Sequence, residues 1–201
     1  MLEKDAATAV PIHELMARRW SPRAFDRAKP VSRAQVLALI EAARWAPSCN
    51  GDEPWRFLVW NRADDEAGWQ QVFGLLSENN RKWCDNVPVF MLACAGSVFG
   101  HSGKPNRHAQ YDTGMASLSL SLQAVALGLV AHQMGGFDSD KARAAFGVPD
   151  GYTPMAMIAV GYQADPAVLP DEVKAKELAP RKRRAVGDCF YAGSWGKPFA
   201  G

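Results

Sequence analysis

No run of apolar residues in this chain is long enough to span a bilayer, and no cationic start precedes an apolar leader. Cysteine is sparse: Cys49, Cys84, Cys94 and Cys189 lie far apart, with no close pair and no histidine at metal-ligand spacing. That pattern excludes a disulfide scaffold or zinc ribbon and leads us to expect reduced thiols in a cytoplasmic protein with no bound metal. Neither sign of charge is in excess. Lys and Arg total 23 against 21 Asp and Glu, for a formal net charge of +2, which argues against a dedicated nucleic-acid binder. Several nucleotide and hydrolase signatures are also missing. No Gly-x-Gly-x-x-Gly follows a strand, and there is neither a Gly-x-Ser-x-Gly elbow nor a paired-histidine zinc helix. Gly103-Lys104 ends like a P-loop, but Val98 stands where its first glycine belongs and Pro105 follows the lysine.

What is present is the composition of an ordinary globular protein, 48% hydrophobic and 22% charged, in 201 residues. No repeat, low-complexity tract or linker divides it, so residues 1–201 are expected to form a single domain. Seven tryptophans are many for this length, and flat aromatic surface suits either a core or a planar ligand. With so small a net charge, two dense basic clusters stand out: Arg18-Arg19-Trp20-Ser21-Pro22-Arg23 and Arg181-Lys182-Arg183-Arg184. Guanidinium forks beside a serine hydroxyl are suited to holding a phosphate dianion, although runs of this kind also occur as solvated faces.

Periodicity places a short helix over residues 12–18 and an amphipathic helix from the N-cap Ser32 to about Trp45. A turn-rich loop over 46–54 precedes a strand from Trp55 to Trp60. A helix from Asp64 to about Leu76, a helical turn at 79–83 and an apolar strand from Val87 to Ala95 follow. Residues 97–110 read as a mobile loop whose His101 and His108 are solvated. The longest segment, from Asp112 to about His132, reads as a buried central helix. A short helix over 138–146, a third strand from Met155 to Gly161 and a tail with little pattern from Leu169 complete the chain. The tail has the look of an arm that lies on another subunit or domain. The expected fold class is α+β, a small mixed β-sheet covered by helices around a long central helix.

Arg19-Trp20-Ser21-Pro22-Arg23-Ala24-Phe25 resembles the opening Arg-x-Ser-x-Arg-x-Phe motif of the FMN-dependent nitroreductase family. The loop Ala46-Pro47-Ser48-Cys49-Asn50-Gly51-Asp52-Glu53-Pro54-Trp55 is similar to its Pro-Ser loop, and Asn79-Asn80-Arg81-Lys82 to its Asn-x-x-Lys element. Further likenesses are Asp112-Thr113-Gly114-Met115-Ala116, Met134-Gly135-Gly136-Phe137, Ile158-Ala159-Val160-Gly161-Tyr162 and the basic pair around Arg181 and Arg183. These elements, in order, span essentially the whole chain.

The resemblance implies a nitroreductase-like homodimer with an exchanged C-terminal arm and FMN at the subunit interface. In it, Arg19, Trp20, Ser21 and Arg23, with Arg181 and Arg183, would hold the phosphate and ribityl chain. Asn79 and Lys82 would meet the pyrimidine side of the ring. Pro47, Ser48, Cys49, Asn50 and Gly51 would come from the partner, while Met134, Gly135 and Gly136 would lie along the N5 edge. NADH or NADPH would donate hydride, and a small planar acceptor such as a nitroaromatic or quinone would then be reduced in ping-pong fashion. The flavin carries that chemistry, so no catalytic side chain is nominated.

The sequence departs from the family pattern at Gly51, where an asparagine is usual, at Glu53, where a glutamine is usual, and at Ala185, where a proline is usual. A carboxylate near the ring would disfavour an anionic reduced flavin unless an arginine neutralises it. Specialised chemistries of the same superfamily (dehalogenation, flavin fragmentation, azoline dehydrogenation) and a non-catalytic protein for RNA or an anionic metabolite remain the alternatives.

Overall fold

In the computed structural model, which describes residues 2–199, four strands form one sheet in the order β1-β2-β4-β3. They are β1 (Trp55–Asn61), β2 (Val89–Gly96), β3 (Val130–Met134) and β4 (Tyr152–Gly161). Every neighbouring pair runs antiparallel, so the sheet is not mixed. Side-chain periodicity fixes which face a residue uses but carries no information on strand direction, which explains the difference.

The two inner strands are buried on both faces. In β2, Phe90, Leu92 and Cys94 point into one apolar layer with Trp60, Trp69 and Met157. Val89, Met91 and Ala93 alternate into the other, with Leu39, Leu120 and Ile158. This double burial is why β2 has no polar alternation despite its antiparallel pairing. Helices α2 (Arg33–Arg44) and α5 (Ala109–Ala126) cover the second layer. Helices α3 (Glu66–Leu75), α4 (Glu78–Cys84) and α6 (Ser139–Phe146) cover the first. Ser32 caps α2 through a complete capping box with Gln35, as its sequence position suggests.

The central helix ends at Ala126, earlier than its apolar content suggests, and the residues up to His132 belong partly to β3. The stop is a Schellman motif. Gly128 takes φ 71°, its N–H donates to Val125 O at 3.1 Å, and the Leu129 N–H reaches Ala124 O at 2.8 Å. Helix α5 is also only half buried: Thr113, Ala116 and Leu120 face the core while Tyr111 and Leu118 face outward.

The remaining helices are the short α1 (Glu14–Arg18), α7 (Asp171–Leu178) and α8 (Val186–Cys189). Residues 24–26 run beside the chain after β4, with Asp26 N–H on Tyr162 O and Ala164 N–H on Ala24 O, which brings the first basic cluster against the sheet edge. Among the described residues, no helix is long and apolar enough to cross a membrane.

Candidate functional site

The sequence 19–23 leaves α1 in extended conformation, because Pro22 cannot continue a helix and the Phe25 bridge to Gln163 pulls the chain to the sheet. This extension displays Arg19, Ser21 and Arg23 near the cations of the tail. Arg19 Nη1 points at Ser21 Oγ, 3.5 Å away. Burial first, and then the neighbouring Arg181 and Arg183 guanidiniums, make the charged form of Arg19 less favourable than usual. Guanidiniums gathered with this much mutual repulsion form a site that an anion would relieve.

The members of that cluster are not equivalent. Arg181 already donates to Lys4 O at 2.6 Å and Ala17 O at 2.8 Å, so it binds the tail to the N-terminal segment and α1. Among the described residues, the exposed Arg183 reaches only the Lys182 carbonyl, at 2.9 Å. Trp20 sits beneath the Lys4 ammonium, 4.5 Å from its ring centroid.

Arg23 also opens onto a cleft of about 130 Å³ together with Asn79, Asn80, Lys82, Trp83 and Glu172. Helix α4 supplies the polar side: it presents Asn79 and Lys82 to the cleft, while Cys84 turns into the core and the mostly buried Trp83 borders both. Lys82 Nζ pairs with Glu172 Oε1 on α7 at 2.6 Å, and that partner raises its pKa. Asn80 Nδ2 donates to Gly136 O at 2.9 Å, fastening α4 to the turn after β3.

The glycines of that turn divide in their reasons. A Cβ at Gly136 would lie 2.7 Å from Asn80 Nδ2 and 2.8 Å from Ser77 Oγ, so its bareness serves helix packing. Beside Gly135 there is open space. Met134 is buried, with its sulfur 3.7 Å from Cys84 Sγ.

Pro47, Ser48, Cys49, Asn50 and Gly51 do not line this cleft. Asp112 at the start of α5 accepts the Cys49 N–H at 3.0 Å, and Ser48 Oγ accepts the Glu53 N–H at 3.1 Å. Asn50, Gly51 and Glu53 all take positive φ, which is costly for a glutamate. Among the described residues Glu53 forms no ion pair, although its charge is felt by Arg44.

Of the segment 97–110, expected as a mobile loop, the end from Ala109 belongs to α5 and the rest is bolted down. Asp52 accepts the Gly100 N–H at 2.8 Å and an Asn106 Nδ2 bond at 3.3 Å, joining it to the 47–53 loop. The tail, expected from Leu169 onward as an arm lying on another subunit or domain, divides in two: helix α7 packs on its own chain, whereas the hydrogen bonds of residues 185–199 are internal to that stretch.

Three residues that sequence patterns did not single out surround the first cluster. Glu177 and Lys4 lie in stretches without periodic signal, and His132 was read as a helix end. His132 Nδ1 lies 2.9 Å from Pro22 O, and its ring stacks on Trp83 at 4.7 Å between centroids. A carbonyl can only accept, so Nδ1 carries the proton.

The molecule thus combines an antiparallel sheet covered by helices with a cluster of guanidiniums and a cleft lined by Asn79 and Lys82. The Nitroreductase family pattern matches residues 16–162. A crystal structure described as an oxidoreductase containing FMN is 32% identical, covers 98% of this chain and 99% of that one, and superposes with a TM-score of 0.90. An uncharacterized 15.4 kDa protein of Mycolicibacterium smegmatis is 35% identical over 150 residues, 71% of this chain and 99% of its own. The oxygen-insensitive NAD(P)H nitroreductase of Salmonella typhimurium is 24% identical over 73% of this chain and 86% of its own length. The chain belongs to the nitroreductase family, whose members are FMN-dependent oxidoreductases.

Proposed function

We propose that this protein is an FMN-dependent oxidoreductase that takes electrons from NADH or NADPH and reduces nitroaromatics, quinones or similar planar acceptors in alternate half-reactions. The observation that carries the reading is Arg23, whose charge is felt together with that of Arg19 at His132 and with that of Arg181 at Lys4, and which also lines the cleft of Asn79 and Lys82. That donor set fits a phosphoflavin: guanidiniums and a hydroxyl for the phosphate, an amide and an ammonium for the pyrimidine edge.

When bound, FMN supplies hydride and electron transfer between the nicotinamide and the acceptor. The chain's part is positional and electrostatic. Arg19 and Arg183, with Ser21 and Arg23, anchor the phosphate, while Lys82 places positive charge where the reduced ring gathers negative charge. Trp83 gives the cleft an aromatic wall, Trp20 and the buried Met134 lie outside its lining, and the open space beside Gly135 leaves room for a ring edge. The cleft's volume is below the ~300–1,000 Å³ usual for a ligand of this size, which supports completion of the site by Pro47, Ser48, Cys49, Asn50 and Gly51 of a second copy.

The homodimer has independent support in exposed apolar surface. Trp45 is 76% exposed, Tyr111 71% and Trp195 91%, with Leu37, Leu118, Phe190 and Phe199 also uncovered. Leu37 on α2 and Tyr111 and Leu118 on α5 lie on helices that pack together, a placement that suits an interface. Dilution is accordingly expected to release no stable monomer that keeps its flavin; a monomeric holoprotein in sedimentation velocity would remove the shared site.

The experiment that tests the function is the visible spectrum of the purified protein with FMN, followed anaerobically after addition of NADH or NADPH. The expected result is a flavin band that bleaches with nicotinamide and returns with a quinone or nitroaromatic. A flavin band that nicotinamide cannot bleach would favour the specialised chemistries, and no flavin binding would overturn the reading.

A further inference from the structure

Glu177 lies on α7, outside residues 16–162 matched by the family pattern, and its side chain is completely buried. Its carboxylate accepts the Arg23 backbone N–H through both oxygens, at 2.9 and 3.0 Å, and the Ala24 N–H at 3.2 Å. The Arg23 guanidinium stands 3.6 Å away. Its own backbone carbonyl accepts a 2.7 Å bond from Lys4 Nζ, so the N-terminal segment, the basic motif and α7 meet at this residue.

We propose that Glu177 is a positioning residue for the phosphate end of the site: it fixes the Arg23–Ala24 peptide and thereby the direction of the Arg19, Ser21 and Arg23 side chains. This rests on the FMN reading above. The peptide is held from opposite sides, since His132 engages the Pro22 carbonyl while Glu177 engages the next amides. A buried carboxylate with this many donors is held rigidly, and rigidity passes to whatever it binds. A carboxylate beside an anion site is also electrostatically adverse to a phosphate. A residue that acted only through its charge would therefore weaken phosphate binding, and one that acts by positioning strengthens it.

The opposite signs make the test. FMN and riboflavin share the ring and differ in the phosphate, so the ratio of their dissociation constants isolates the phosphate contribution. Flavin fluorescence titration of Glu177→Gln is expected to show this preference for FMN reduced roughly tenfold, with riboflavin affinity little changed. A preference that is unchanged or increased would overturn the proposal. Leu169→Ala provides a second variant in case Glu177→Gln fails to fold, because it loosens the buried seat at the start of α7 without changing charge or the cleft lining. A smaller loss of preference, a fewfold, is expected from it, and no loss would overturn the proposal. Wild-type protein that binds FMN no better than riboflavin would instead overturn the phosphate assignment, a different failure from flavin binding with an insensitive Glu177→Gln.

Discussion

Arg19→Ala is expected to weaken FMN binding by about 10- to 100-fold, the worth of one charge-assisted contact of roughly 1.5–3 kcal/mol, while leaving the flavin-free protein as stable as before or more so. The two effects separate because Arg19 has little to do in the empty protein. Its recorded bond is the long one to Ser21, and burial beside Arg181 and Arg183 works against its charge. Arg183→Ala should resemble it on a smaller scale, since Arg183 is exposed and, among the described residues, bound only to its neighbour's carbonyl. Arg181→Ala should behave differently. Removing its bonds to Lys4 O and Ala17 O unfastens the tail from α1, so the melting temperature of the empty protein falls as well. FMN titration paired with thermal melts of the flavin-free variants checks this. An unchanged FMN dissociation constant in both Arg19→Ala and Arg183→Ala would dissolve the anion site.

Local chemistry was legible in the sequence wherever a residue acts on its own neighbours. Ser32 with Gln35 announces the start of α2, and the apolar run of β2 announces a doubly covered strand. The motifs around Arg19, Asn79 and Gly135 could be read in order, and the fold brings Arg23, Asn79 and Lys82 to one cleft. The break after α5 was available as well, in Leu127-Gly128-Leu129, but the apolar content on both sides of the glycine concealed it. What could not be read depends on contacts between residues distant in sequence. Glu177 meets Arg23 across 154 positions, and His132 meets Pro22 across 110. No periodicity records such a meeting. The antiparallel order of the strands is hidden for the same reason, and so is the anchoring of 97–107 by Asp52.

His132 carries the second large effect, in acid. Its imidazole lies under the basic motif against Trp83, and burial first, aided by the nearby Arg23 and Arg19 charges, lowers its pKa from 6.5 to about 4. The bond to Pro22 O opposes that shift without overcoming it. The fold therefore prefers the neutral ring, whereas the unfolded chain takes up a proton below the ordinary value. Between about pH 6.5 and pH 4 the unfolded state binds more protons, so stability falls with falling pH across that window and levels off below it. At most about 3.5 kcal/mol is at stake, from roughly 1.4 kcal/mol per pKa unit. Exposed carboxylates with lowered pKa, such as Glu66 and Asp138, also lose stability in acid, but in the carboxylate range. His132→Gln distinguishes the contributions, because a neutral amide can still donate to Pro22 O and does not titrate. Urea denaturation across pH 4–7 should show a wild-type curve that drops more steeply than the variant's. FMN affinity needs the same subtraction, since the flavin phosphate itself titrates near pH 6. With the variant as baseline, wild type should hold FMN relatively better in that window even as its fold weakens, because the protonated ring adds a cation beside the guanidiniums that face the phosphate. Parallel stability curves for the two proteins would mean that His132 does not govern the acid response of the motif it supports.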